Sequence, residues 1–197
     1  MDEYVLEKFK KTIKQLASLP DEEIENVISH GIIKEYSTNE YFLRAGEMSR
    51  NIGFIIEGLF RIYYIDMEGN EYTKNFKSSG QFMSSMAALL LTAPSKLNIQ
   101  ALELSKVICI NYDNILQLAE QNILWQKLLR KSAEIDYLEK EKRESDLLYF
   151  DVKERYLNFI KEHPDWTERI QQRYIASYLG MTPETLSRIR GKSIYKR

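Results

Sequence analysis

The chain of 197 residues has one cysteine, two histidines, four prolines and eight glycines. A single thiol, Cys109, excludes an internal disulfide and leaves too few thiolates for a Cys-ligated iron–sulfur cluster. His30 and His163 are far apart in sequence, and no metal-ligand spacing surrounds either, so no metal and no cofactor is expected. The longest apolar run, Met86 to Leu91, is far short of the ~18 residues a membrane helix needs. The amino terminus MDEYVLEKFKK carries no secretory apolar core, so the expected location is cytoplasmic and reducing, with no membrane partner. There is no glycine-rich phosphate loop, no serine-nucleophile elbow and no paired carboxylate motif, so an enzyme is not expected. Charge of one sign is also lacking, because 28 basic residues face 29 acidic ones. A net charge of −1 argues, taken alone, against a partner that coats the surface with phosphates.

What is present changes texture along the chain. Tyr4, Val5, Leu6, Phe9, Ile13, Leu16 and Leu19 recur near a 3.6 period until Pro20 ends the run. Asp21 is expected to cap a short second helix whose apolar side is Ile24, Val27 and Ile28. From about Ile32 to Tyr112 short apolar or alternating runs are separated by turn residues, the pattern of a small β-barrel or jelly roll. Phe60, Ile62 and Tyr64 alternate with Arg61 and Tyr63, which predicts a strand with two unlike faces. Asp66 to Asn70 reads as a hairpin turn, with Gly69 and Asn70 both able to take positive φ. A short helix over Ser84 to Leu91 interrupts the strands, and two more strands follow near Leu97–Leu104 and Lys106–Tyr112.

Asp113 is expected to open a helical stretch that runs with little interruption to Tyr149. Leu128, Ile135 and Leu138 lie at heptad spacing before Lys131, Lys142 and Ser145 break the seam. A long helix with a narrow apolar seam wants a partner, and a second copy is the simplest one. Lying against its own barrel is the alternative. Beyond Asp151, an expected helix cap, the chain is helical again and is broken at Pro164. The expected division is a barrel with flanking helices over 1–120, a long helix over 121–150 and a further helical domain over 151–197.

The densest signal lies in Gln171 to Lys192, QQRYIASYLGMTPETLSRIRGK. A first helix over Gln172–Leu179 turns inward Ile175, Ala176 and Leu179, and Gly180 supplies a left-handed exit. Thr182 is placed as an N-cap, Pro183 at the first helical position and Glu184 in the first turn. Leu186 and Ile189 then face inward, while Glu184, Thr185, Arg188 and Lys192 face outward. This is the pattern of a helix-turn-helix, whose second helix enters a major groove of double-stranded DNA. Arg188 can donate twice to guanine and Glu184 can accept from cytosine. Thr182, Ser187, Arg190 and Arg173 complete the candidate DNA contacts, the last three on phosphates.

The order of barrel, long helix and terminal helix pair resembles the Crp–Fnr family of bacterial transcription regulators over nearly the whole chain. The resemblance is carried by Gly46-Glu47, by GFIIEGLFRIYYID-x-EGNEY from Gly53, and by RYIASYLGMTPETLSRIR from Arg173. The ending is most similar to forms common in Bacteroidetes-type bacteria. The resemblance implies an α+β protein: a jelly-roll barrel of the cyclic-nucleotide-binding kind, a dimerisation helix and a DNA-binding helix-turn-helix. It implies a homodimer that binds DNA. The family's recognition helix follows R-E-T-x-x-R, which Glu184, Thr185 and Arg188 match and where Pro183 stands in place of the first Arg.

Two departures shape the expectations. Cyclic-nucleotide-binding members hold the ribose with a Glu and the cyclic phosphate with an Arg. The matching stretches, Gly80 to Leu89 and Ala93 to Ala101, contain neither residue. Lys96 offers only a point charge. An effector other than a cyclic nucleotide, or none, is expected; Ser84, Ser85, Ser95, Lys96 and Asn98 are the candidate effector-pocket residues. The family's β-hairpin wing is expected to be reduced or missing, with the basic tail Lys192, Lys196 and Arg197 in its place. A ligand-sensing or protein-interaction barrel with a vestigial helix-turn-helix is the alternative.

The near-neutral charge conceals a division. Residues 151–197 hold 10 basic and 6 acidic side chains, a balance of +4. Residues 1–150 hold 18 basic and 23 acidic side chains, a balance of −5. An acidic half repels a polyanion and leaves contact to the basic helices.

Overall fold

The computed structural model describes residues 3–194 of an α+β chain. Two helices, α1 (Glu3–Leu16) and α2 (Asp21–Ser29), lead into eight strands. These are β1 (Ile32–Tyr36), β2 (Tyr41–Leu43), β3 (Asn51–Glu57), β4 (Leu59–Ile65), β5 (Glu71–Ser78), β6 (Phe82–Met83), β7 (Asn98–Ala101) and β8 (Ser105–Asn111). The short α3 (Met86–Leu91) separates β6 from β7. Then come α4 (Tyr112–Gln121), α5 (Ile123–Tyr149), α6 (Val152–Glu162), α7 (Trp166–Arg169), α8 (Gln172–Tyr178) and α9 (Pro183–Ile194). The chain forms two compact units: Met1–Ile62 with Phe76–Asp136, and Tyr63–Asn75 with Tyr137–Arg197.

The strands make two four-stranded sheets, ordered β1-β8-β3-β6 and β2-β7-β4-β5, of which only the β4–β5 hairpin tip, residues 63–75, belongs to the second unit. The pairs β1–β8, β3–β8, β3–β6 and β2–β7 are all antiparallel, with Ile32 opposite Cys109 and Phe54 opposite Ile108. Both sheets contribute to one inner core: Tyr36, Ile55, Met83, Val107 and Cys109 from the first, Leu43, Phe60, Ile62, Ile99 and Ala101 from the second. The other face of the first sheet is covered by helices. Ile52, Phe54, Ile56, Ile108 and Ile110 pack there with Phe9, Ile13, Ile24, Ile28, Ile115, Trp125 and Leu128. A strand covered on both faces loses the polar alternation of a half-exposed one, which is why β3 reads as the continuous run NIGFIIE.

Several local expectations need correcting. Asp21 is not a cap: Pro20 holds that position without a side-chain bond, and Asp21 pairs with Lys14 and Lys10. Asp113 does not open α4. The Asn111 side chain accepts from the Asp113 backbone N–H, freeing the Asp113 carboxylate to pair with the Arg50 guanidinium. Arg50 also donates to the Leu89 carbonyl at 2.6 Å. The helix beyond is broken at Asn122, whose side-chain amide donates to Glu23 at 2.7 Å. The Trp125 indole donates to the other Glu23 oxygen at 2.7 Å. One carboxylate on α2 thus sets where α5 starts. In β4, Phe60 and Ile62 are inside as expected, but Arg61 and Tyr63 are buried too and Tyr64 is exposed. The alternation stops because the inner core ends at Ile62. At the hairpin turn Gly69 alone takes positive φ, +87°; Asn70 does not. Asp66 organises this turn by accepting from the backbone of Glu68 and Asn70 and from the Tyr72 hydroxyl.

The seam of α5 is shorter than its heptad spacing suggests. Leu128 is spent in the core of the first unit, whereas Ile135 and Leu138 are exposed. Among the described residues no helix is long and apolar enough to cross a membrane.

Candidate nucleic-acid interface

The second unit is built on a small aromatic core. Tyr156, Phe159, Trp166, Ile170, Tyr174, Ile175, Leu179 and Leu186 are all buried, and the Phe159 ring lies 6.1 Å from that of Trp166 and 5.9 Å from that of Tyr178. Asp151 caps α6 as its position predicts: its carboxylate accepts from Lys153 N and Glu154 N, and Glu154 accepts from Asp151 N in return. His163 ends α6 and stacks on Trp166, with ring centroids 3.8 Å apart and planes 6° apart. Burial pushes its imidazole below the ordinary range, against the pull of Glu162, Asp165 and Glu139.

The turn between α8 and α9 forms as its residues require. Met181 N donates to Ala176 O at 3.0 Å and Gly180 N to Ser177 O at 3.3 Å. With Gly180 at φ +66° this is a Schellman ending, which only a residue at ease in the left-handed region can make. A side chain at Gly180 would also press on Leu147 Cδ2 at 3.1 Å. Ala176 is fully buried, so the two helices meet closely. Thr182 caps α9: Thr185 N donates to its hydroxyl at 3.2 Å, and Leu186 N donates to its carbonyl at 3.0 Å. Leu186 is fully buried and locks α9 onto α8, while Ile189 is only half-buried.

Thr182, Glu184, Thr185 and Arg188 converge at the start of α9. The Arg188 Nη2 lies 3.3 Å from the Thr185 hydroxyl and its Nε 3.4 Å from the Glu184 carbonyl. Glu184 is held ionised below the usual carboxylate range, first by its own backbone N–H, then by the Thr182 hydroxyl and the Arg188 charge. Glu184, Ser187 and Arg188 are exposed. At 100° per residue Arg190 projects beside Leu186 rather than with Arg188, and it is half-buried. Arg173 is exposed on α8, where it donates to the Tyr174 hydroxyl at 2.9 Å. The side chain of Lys192 and the tail residues Lys196 and Arg197 lie outside the described residues, as does the expectation about a wing.

The candidate effector residues are placed differently. Ser85, Ser95 and Asn98 are buried, Ser84 is half-buried and Lys96 is exposed. The Ser85 and Ser95 hydroxyls are 3.0 Å apart, and Ser95 donates to Leu97 O at 2.8 Å. Asn98 Oδ1 accepts from Ala45 N at 2.9 Å, and Ser95 exchanges backbone bonds with Gly46 and Glu47. The Asn98 side chain and the Ser95 backbone thus fasten the β2–β3 loop to the segment that leads into β7.

Sequence reasoning missed three polar residues that shape this unit. Arg155 donates to the α8 end through Leu179 O at 2.9 Å and to Phe150 O at 2.8 Å. Ser177 and Arg143 bind the hairpin backbone at Thr73. Their partners are main-chain atoms, which carry no sequence signal beyond a polar residue on a helix.

Residues 33–122 match the family model of the cyclic nucleotide-binding domain. The matched stretch runs through the strands from β1 to β8 and ends where α4 gives way to α5. Among solved structures the chain is similar to FixK2 from Bradyrhizobium japonicum, with 20% identity and a TM-score of 0.71 over 82% of this chain and 83% of that one. It is similar to CLP, the c-di-GMP-responsive global regulator of Xanthomonas campestris, with 18% identity and a TM-score of 0.72 over 89% and 92% of the chains. The catabolite activator protein of Thermus thermophilus shares the fold at a TM-score of 0.57, 18% identity and 94% and 87% coverage. No curated protein matches the chain by sequence.

Proposed function

We propose that the chain is a sequence-specific, DNA-binding transcription regulator of the Crp–Fnr type, and that α8 and α9 are its helix-turn-helix. The observation that carries this reading is the start of α9. A Gly180 turn and the buried Leu186 fix the helix, and Glu184, Thr185, Ser187 and Arg188 are left facing solvent or each other. Such a helix end fits a major groove, where Arg188 reads guanine and Glu184 reads cytosine. Thr182, Ser187, Arg173, Arg190 and Lys192 supply backbone contacts in this reading. The +4 balance of residues 151–197 supports it.

The regulator acts as a homodimer in this proposal, paired along the exposed Ile135 and Leu138 of α5. Two recognition helices then meet half-sites about one helical turn apart. Its effector is not a cyclic nucleotide. Residues 80–101 hold no Arg or Glu, Lys96 is exposed, and Ser95 and Asn98 are engaged by backbone.

The test is a mobility-shift titration on the duplex upstream of the protein's own gene, with random duplex as competitor. Wild type is expected to prefer the upstream duplex and to lose affinity steeply with salt. Arg188→Ala is expected to cost about 1–3 kcal/mol and relax preference at one base pair. Unchanged affinity and preference in that variant overturn the role of Arg188. No preference over random duplex in wild type overturns the regulator in favour of a sensing or interaction module. Leu138→Glu is expected to yield a monomer by sedimentation equilibrium.

A further inference from the structure

Strand β5 lies at the edge of its sheet. An edge strand presents outward N–H and C=O groups that need partners when covered. Thr73, in that strand, is 2% exposed, and side chains of two helices satisfy its backbone. Thr73 N donates to the Ser177 hydroxyl at 2.9 Å, and the same hydroxyl donates to Glu71 O at 3.1 Å. One serine thereby spans two residues on one edge of β5, the spacing at which a strand's backbone groups point the same way. Arg143 completes the edge: its Nη2 donates to Thr73 O at 3.2 Å and to Tyr178 O at 3.1 Å. Its guanidinium also lies 5.1 Å from the centre of the Tyr178 ring. The Nε of Arg143 is buried without a hydrogen bond, so the fork is committed to these two carbonyls at the expense of its third donor. The hairpin tip, residues 63–75, belongs to the same compact unit as the C-terminal helices.

We propose that Ser177 and Arg143 are positioning residues that latch α8 to the tip of the barrel's β4–β5 hairpin. Strands β4 and β5 continue into the sheet that holds Phe60 and Ile62 of the inner core. A shift of those strands is delivered through the latch to α8, and through the Gly180 turn to α9. The inference rests on the reading of α9 as the DNA-contacting helix. Neither Ser177 nor Arg143 touches DNA in it; they set where α9 points.

The experiment uses the full chain and three forms: wild type, Ser177→Ala and Ser177→Thr. Amide hydrogen exchange without DNA reads the latch, and titration with the upstream duplex reads its consequence. Ser177→Ala is expected to speed exchange about tenfold in 71–75 and 182–186, with α6 amides unchanged. Its affinity for the duplex is expected to fall about three- to tenfold from lost preorganisation, with the salt slope unchanged because no phosphate contact is lost. Ser177→Thr keeps the hydroxyl and is expected to behave as wild type. Unchanged exchange at 71–75 in Ser177→Ala overturns the latch. Faster exchange there with α9 amides unchanged, or with unchanged or higher affinity, overturns its positioning role. Wild type that binds no duplex refutes the regulator reading instead, and the exchange pattern still decides whether hairpin and helix pair move together.

Discussion

Gly58, between β3 and β4, sits at φ +110° with its missing side chain aimed at Ser105. A Cβ there would lie 2.0 Å from Ser105 Oγ, 2.4 Å from Ser105 Cβ and 2.8 Å from Ser105 Cα. Two costs of Gly58→Ala therefore add. Holding a residue with a Cβ at such a φ costs about 1–2 kcal/mol. Forcing its methyl into a packed neighbour costs about 1–3 kcal/mol more. Stiffening the unfolded chain offsets only about 0.4–1 kcal/mol. The net expectation is a loss of roughly 1–4.6 kcal/mol, a drop of about 2–18 °C in the melting of the chain at roughly 2–4 °C per kcal/mol. The two costs separate in a double-mutant cycle with Ser105→Gly, which removes the two closest clashing atoms and leaves φ as it is. In that background Gly58→Ala should cost about 1 kcal/mol less or better. The assay is urea unfolding followed by circular dichroism, with each variant compared to its own parent. A Gly58→Ala protein as stable as wild type refutes both costs. An equal cost in the two backgrounds refutes the steric one and leaves the backbone conformation as the sole cause.

The stacked His163 makes the C-terminal unit sensitive to pH. Its pKa is lower folded than unfolded, so the unfolded chain takes the proton first. The stability it contributes is present above about pH 6.5 and is lost as pH falls through the folded pKa. Tryptophan fluorescence melts of Trp125→Phe protein, which isolate Trp166, should show lower stability at pH 5.5 than at 7.5, and His163→Phe should flatten that difference. Asp151→Ala removes the carboxylate half of the capping box, leaving Glu154 to accept from the backbone N–H at 151, and is expected to cost about 0.5–2 kcal/mol in urea titrations; a cost near zero would mean that α6 starts without its cap. Cys109 is buried, with the Tyr36 hydroxyl 3.7 Å away, and burial pushes its thiol up. Native protein at pH 8 should react with an aromatic disulfide only as fast as it opens; one equivalent consumed within the mixing time would contradict that burial.

Legibility in the sequence followed the range of the interaction. The α8–α9 turn was readable because Gly180, Thr182 and Pro183 act within four residues of themselves. The Asp151 cap was readable for the same reason. Asp21 and Asp113 misled because a carboxylate ahead of an apolar run can cap a helix or pair with a cation. The cations that decide, Lys14 and Arg50, are set by the fold. The break at Asn122 depends on Glu23, 99 residues away, and had no local signal. In β4 the faces were read from alternation alone, and alternation does not show that Arg61 lies inside. The grouping of Glu184, Thr185 and Arg188 at the start of α9 was legible, but Ser177 and Arg143 act on main-chain atoms of a hairpin about 70 to 106 residues away. For the effector, the sequence showed which groups are lacking, and the structure shows that Ser95 and Asn98 are used by loops.

The pairing of Ile32 with Cys109, and of Glu23 with Trp125, has a consequence for the order in which the molecule is made. The sheet that both cores share is completed by β8, which inserts between β1 and β3. The core that holds Val5 and Phe9 also takes in Trp125 and Leu128 at the start of α5. A growing chain therefore has no finished barrel to fold into until β8 and the start of α5 have left the ribosome. The helices that follow α5 emerge behind a barrel that is closing, so the hairpin tip waits, with one edge unpaired, for α8 to bring Ser177 to it.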